Sequence, residues 1–127
     1  MGTKSIGISD LSGQALDWAV AWCEGLVSGD DLDVGFILEG GYSPSTNWAQ
    51  AGPIIERERM GGTWINENSA SSWCFMYPSS YTKKGDNGAE MIIRFGPTSL
   101  VAAMRCYVAK RISGEWVAVP DSLALNY

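Results

Sequence analysis

The chain has 127 residues, 46% of them apolar, which is enough for one domain with a real core and too few for two ordinary ones. Basic residues number 9 and acidic ones 14, and the resulting charge of −5 argues against a duplex-DNA footprint. Histidine is absent, which excludes a Ser-His-Asp triad, a Cys-His pair and any His-ligated metal site.

Residues 1–9 read as an extended arm, and Asp10 or Ser12 is placed to cap a following helix. From Ala15 the apolar spacing is helical. Ala15, Leu16, Ala19, Val20 and Cys23 recur at three- and four-residue steps, Trp18 and Trp22 lie one turn apart, and Asp17 and Glu24 are expected to point away. This predicts a helix over about 13–27. Leu32 to Leu38 is a short apolar run between turn residues and reads as a strand. Tyr42 to Pro53 reads as a long polar and aromatic loop, of a length often tied to function. Pro53 to Met60 suits a short helix opening at Pro53, although its alternation also fits a strand.

Thr63–Ile65 and Ser72–Tyr77 read as strands, and residues 78–89 as an exposed loop excursion. Glu90 to Phe95 reads as a further strand. Pro97 or Thr98 opens a second helix over about 97–113, with Leu100, Met104, Tyr107 or Val108, and Ile112 on one face and Lys110 and Arg111 in its last turn. Trp116 to Val119 reads as an edge strand. The expectation is a single α+β domain, with a small, mostly antiparallel sheet and two helices packed on one face.

Cys23, Cys74 and Cys106 form no CxxC pair and read as buried small hydrophobes in a reducing cytosol. No apolar run approaches the roughly 18 residues of a membrane span, and Met1 to Ser9 lacks the apolar stretch of a secretion signal. A cytoplasmic protein is expected.

Three stretches carry a family resemblance. They are Leu16-Asp17-Trp18-Ala19-Val20-Ala21, the segment from Tyr42-Ser43-Pro44 through Asn47-Trp48-Ala49 to Glu56-Arg57-Glu58, and Gly96-Pro97-Thr98-Ser99-Leu100 on to Val108. Together they resemble the NinX family of small phage and prophage proteins, a family of unknown function, from about Leu11 to Val119. The stretch from Thr63 to Glu90 is longer here than is typical of the family. The resemblance implies a phage origin, the host cytosol as compartment and a place among accessory genes. It supplies no catalytic residue.

The Tyr42–Glu58 segment is the leading site candidate. Ser43, Ser45, Thr46, Asn47 and Gln50 gather donors and acceptors, Tyr42 and Trp48 offer flat faces, and Arg57 and Arg59 offer positive charge, as a nucleotide-type ligand requires. The competing reading is a structured loop whose polar side chains cap its own backbone. Arg57 and Arg59 share a face in a strand but stand about 200° apart in a helix. Asp30, Asp31 and Asp33 lack calcium-loop spacing and read as a solvated turn, and Lys83-Lys84 as a basic loop tip. Asp17 and Glu56 are the carboxylates whose pKa burial would raise, but no catalytic motif accompanies them.

The expectation is therefore a non-enzymatic phage protein, homo-oligomeric, without cofactor, metal, duplex DNA or membrane as partner. It sequesters a small anionic, nucleotide-like ligand such as a host-defence signal. The alternative is a protein that binds a host or phage protein through a Trp-rich, acidic surface.

Overall fold

The computed structural model describes residues 2–28, 31–67, 70–77, 84–85, 88–89, 92–112, 114–125 and 127. In chain order they form β1 (Thr3–Gly7), a 3-10 turn (Ile8–Asp10), α1 (Gly13–Cys23), α2 (Asp31–Leu38), α3 (Trp48–Glu58), β2 (Gly61–Glu67), β3 (Ala70–Met76), β4 (Lys84–Gly85), β5 (Gly88–Ala89), β6 (Ile93–Gly96), α4 (Ser99–Ile112), β7 (Trp116–Pro120) and a closing 3-10 turn (Asp121–Leu123). This is a small α+β fold. The described residues hold four helices, where two long ones and a short one at Pro53 are expected, and the sheet is divided. β2-β3-β6 form one antiparallel sheet, β1-β7 a second, and β4-β5 a short ladder within the expected 78–89 excursion, most of which lies outside the described residues.

The N-terminal segment is a strand and not an arm. Thr3 pairs with Pro120 and Gly7 with Trp116, and Ile6 turns into the core. A five-residue strand whose partner lies over a hundred residues away leaves almost no local signal. α1 opens after Ser12 as expected, but no side chain caps it; the Ser12 N–H donates instead to the Tyr127 hydroxyl at 2.9 Å. It stops at Cys23, short of residue 27. Gly25 takes a left-handed φ of 76°, and the Gly25 and Leu26 amides close back on the Trp22 and Ala21 carbonyls. Every residue from Ala15 to Ala21 is buried, so Asp17 faces inward rather than away.

Residues 31–38 are a helix where a strand was expected. Val34 and Ile37, three apart, are buried, whereas Phe36 and Leu38 are exposed. Strand alternation would have put Val34, Phe36 and Leu38 on one side. An eight-residue apolar run is too short for periodicity alone to separate the two. α3 likewise begins five residues before Pro53. Asn47 accepts the Ala49 N–H and caps it, and Ala51, Ile54 and Glu58 form its buried face. Pro53 sits inside this helix, where its missing N–H removes one backbone hydrogen bond.

α4 is the centre of the molecule. It packs on β3, β6, α1 and α3, and it is buried all round rather than on one face. Thr98 Oγ1 accepts the Val101 N–H at its start. Just before it, Gly96 lets the chain pass from β6 into the helix, because a Cβ there would meet the Ala102 nitrogen at 2.7 Å. Backbone cannot yield as a side-chain tip can. Gly96→Ala should therefore lower stability by about 1–3 kcal/mol, read as a reduced urea midpoint at unchanged slope. An unchanged midpoint would contradict the close approach.

Candidate functional site

The segment singled out in the sequence folds onto itself. The Ser43 N–H donates to Gln50 Oε1 at 2.6 Å, and Gln50 Nε2 donates to the Gly41 carbonyl at 3.2 Å. The Thr46 amide and hydroxyl both reach the Ser43 carbonyl. Asn47 caps α3. Ser45 is buried, its N–H donating to Asp17 Oδ1 at 2.8 Å and its hydroxyl reaching the Gly13 carbonyl. Tyr42 stacks on Phe36, with ring centroids 6.0 Å apart. Trp48 is 57% exposed. Arg57 lies nine residues further along α3, about 14 Å away and about 180° around the axis. Arg59 ends the helix in a left-handed conformation, φ 56°. The fold thus gathers Tyr42 to Gln50 and does not bring Trp48, Arg57 and Arg59 to one face.

Arg57 belongs to a second group, where α1, α3, α4 and β3 meet. It donates from two nitrogens to Glu24, at 2.8 and 3.1 Å, and from Nε to Glu58 at 3.1 Å. The Tyr107 hydroxyl donates to Glu24 as well. Glu58 is buried and also takes the Tyr77 hydroxyl at 3.0 Å, Lys110 at 3.5 Å and Arg111 at 3.4 Å. The hydrogen bonds from Arg57 hold the Glu24 carboxyl below its ordinary pKa. Burial pushes Glu58 upward, but Arg57, Tyr77 and the two α4 cations outweigh it and hold it low. Three cations and two carboxylates meet here, each within reach of an opposite charge, and they tie three helices together.

A different charge balance holds along β6. An open cleft of about 510 Å³ runs past its Arg94, Phe95 and Gly96, with Ser9 and Ser72 on its walls and Glu115 and Arg105 completing the lining. Arg105 projects from the buried helix α4. Its Nε donates to the Leu11 carbonyl at 2.7 Å and one terminal nitrogen to the Phe95 carbonyl at 2.8 Å. Among the described residues no carboxylate lies within 4.0 Å of it. Burial lowers its pKa, against weaker support from Tyr127 and Asp10. A guanidinium still keeps its proton there. Arg94 donates to Glu115 at 3.0 Å, but that carboxylate is 67% exposed, and Arg94 Nε is buried with no hydrogen-bond partner among the described residues. Among the described residues two guanidiniums therefore have one solvated carboxylate within ion-pair distance, with Asp10 farther off.

A family model described as Bacteriophage P22, NinX matches residues 7–111. The chain belongs to the NinX family. No curated protein matches it. The matched region takes in the polar segment, the Glu24–Arg57–Glu58 group and every lining residue of the cleft except Glu115. Among the described residues of this NinX chain, no helix is long and apolar enough to cross a membrane.

Arg94 and Arg105 were missed in the sequence reading. The signal for Arg105 was present: it is the one charge between Ser99 and Ala109, inside a run that is otherwise apolar or small apart from Ser99. Arg94 in a four-residue strand carried none. The cysteines of this NinX member are free, with burial raising Cys106 to about 12 and Cys23 to about 11, far from a reactive thiolate. Asp31 and Asp33 fall in α2, whereas Asp30 and Lys83 lie outside the described residues.

Asp17 is 4% exposed, and burial raises its pKa from 3.8 to about 6 despite the Ser45 hydrogen bonds. The folded state thus holds a proton that the unfolded chain releases between about pH 4 and 6. The stability this contributes is full below pH 4 and lost as pH rises through 6. Asp17→Asn keeps an acceptor for the Ser45 N–H and removes the buried charge. The variant should gain on the wild type by about 2–3 kcal/mol between pH 4 and pH 8 in urea unfolding. A gap independent of pH would show that Asp17 is not desolvated.

Proposed function

We propose that this NinX protein is a non-enzymatic binding protein for a small anionic ligand of the nucleotide type, held in the cleft between β6, α4 and Glu115. The observation that carries this is Arg105. A helix buried on all sides delivers one half-buried guanidinium to a cleft, and among the described residues its hydrogen bonds there go to carbonyl oxygens. Guanidinium against phosphate or carboxylate is a strong, directional pairing, and low local dielectric strengthens it. Arg94, with an unpartnered buried Nε, stands in the same cleft.

The reading as a binder rather than a catalyst is supported by the lining chemistry. Neither histidine, cysteine nor lysine is among the cleft residues described, and its carboxylate is engaged by Arg94 and solvated. A phage accessory protein of this kind would act in the host cytosol by holding its ligand away from another receptor, such as one serving host defence. The exposure of Trp22 and Trp48 supports two further parts of the reading: self-association into a homo-oligomer, and, as the second reading, capture of a host or phage protein by the same apolar side chains.

Native mass spectrometry of the purified protein with a panel of linear and cyclic nucleotides reads oligomeric state and retained ligand together. A nucleotide retained intact at fixed stoichiometry is expected. Arg94→Gln and Arg105→Gln should each weaken its binding about 10–150-fold, the equivalent of one charge-assisted hydrogen bond. Arg57→Gln and Trp48→Ala should leave affinity unchanged. Thermal melts separate lost binding from lost fold, which matters for Arg105 because it also ties Leu11 to Phe95. Affinity lost in Trp48→Ala and kept in Arg94→Gln would move the site to the Tyr42–Gln50 segment. A monomer that ignores the whole panel, with one stoichiometric protein recovered by pulldown, would favour the second reading.

A further inference from the structure

We infer that the cleft takes a single nucleoside monophosphate, with the phosphate at Arg94 and Arg105 and the base laid on the ring of Phe95, rather than a polyphosphate or a dinucleotide. The inference rests on the reading of the cleft as an anion site and names what completes the ligand. Phe95 stands in β6 directly opposite Cys74. Cys74 is buried, whereas Phe95 is 50% exposed and lines the cleft. An exposed aromatic residue that lines the same cleft as two guanidiniums offers what a base and its phosphate require, a flat apolar platform and charge-assisted donors. The Phe95 carbonyl also accepts from Arg105 at 2.8 Å, so one residue fixes both platform and cation.

Two features limit the ligand to one base and one phosphate. Phe95 is the one aromatic side chain among the lining residues described, so a second base would find no ring to stack on. The two guanidiniums are offset by Glu115 and, from farther off, by Asp10, which leaves little positive charge to spare. That suits a monophosphate. A triphosphate would bring more negative charge than the cleft neutralises and would set it against the Glu115 carboxylate. Ser9 and Ser72, on the walls, supply hydroxyls that both donate and accept, as sugar hydroxyls and base edges demand.

The test compares inorganic phosphate, ribose 5-phosphate, the four ribonucleoside 5′-monophosphates, adenosine triphosphate and a cyclic dinucleotide by calorimetric titration of the full chain. At least one monophosphate should bind about fivefold or more tighter than ribose 5-phosphate. It should also bind tighter than the triphosphate and the cyclic dinucleotide. Phe95→Ala should erase the advantage over ribose 5-phosphate while leaving ribose 5-phosphate itself unchanged, and Phe95→Trp should keep it. The half-exposed position makes both variants tolerable to the fold, and a melting curve checks this. Monophosphates no tighter than ribose 5-phosphate, with both bound, would overturn the base platform and leave the anion site standing. A cyclic dinucleotide or triphosphate bound more tightly than every monophosphate would overturn the single-nucleotide limit. Silence from every probe would overturn the anion site as well.

Discussion

Helix α4 has to be covered on every side. From Leu100 to Ala109 each side chain is buried except that of Arg105, which is half-buried, and a surface so apolar is stable only when other elements enclose it. β3 and β6 cover part of it, α1 and α3 further parts, and the Gly96 turn lets β6 run straight into it without a gap. α1 is buried nearly as completely because it lies between α4 and α2. The charged groups are then placed by what this packing leaves open.

They separate into two arrangements with different physical meaning. At one end of α4, Arg57, Lys110 and Arg111 meet Glu24 and Glu58, with Tyr77 and Tyr107 filling the remaining hydrogen-bond positions. Each charge has a partner, and removing one would leave another uncompensated in a half-buried site. This group joins α1, α3 and α4, and each of its three cations already bonds a carboxylate. At the middle of α4, Arg105 has carbonyl hydrogen-bond partners alone among the described residues, and Arg94 shares a solvated carboxylate. A guanidinium with no carboxylate at bonding distance among the described residues, in a cleft, is where an external anion gains most.

Much of the architecture was legible because it rests on local patterns. The β2-β3 hairpin, β6, β7 and the turn into α4 at Gly96-Pro97-Thr98 follow from alternation, capping and turn residues. What was lost was non-local or too short. β1 depends on a partner at the far end of the chain. Residues 31–38 are apolar enough to suit either periodicity, and only the burial of Val34 and Ile37 against exposed Phe36 decides for a helix. Proline is favoured at a helix start, which points to Pro53, but the Asn47 cap overrides it. For the site, a list of polar residues between Tyr42 and Gln50 looks the same whether they serve a ligand or the loop's own backbone. Their hydrogen bonds to Gly41, Ser43 and Ala49 are set by backbone geometry that composition does not encode. Arg105 carried the better signal, since a lone charge inside an apolar helix has to be accounted for by something it meets.

On the proposed function the anion binds at Arg94 and Arg105 and not at Arg57. The arginine side-chain Nε–H resonances in a heteronuclear NMR titration with a ribonucleoside monophosphate read this directly. The account predicts saturable shifts of the Arg94 and Arg105 signals with one common dissociation constant, the Arg57 signal staying in place. Movement of Arg57 with Arg94 and Arg105 still would contradict it and assign the ligand to the face that carries Glu24.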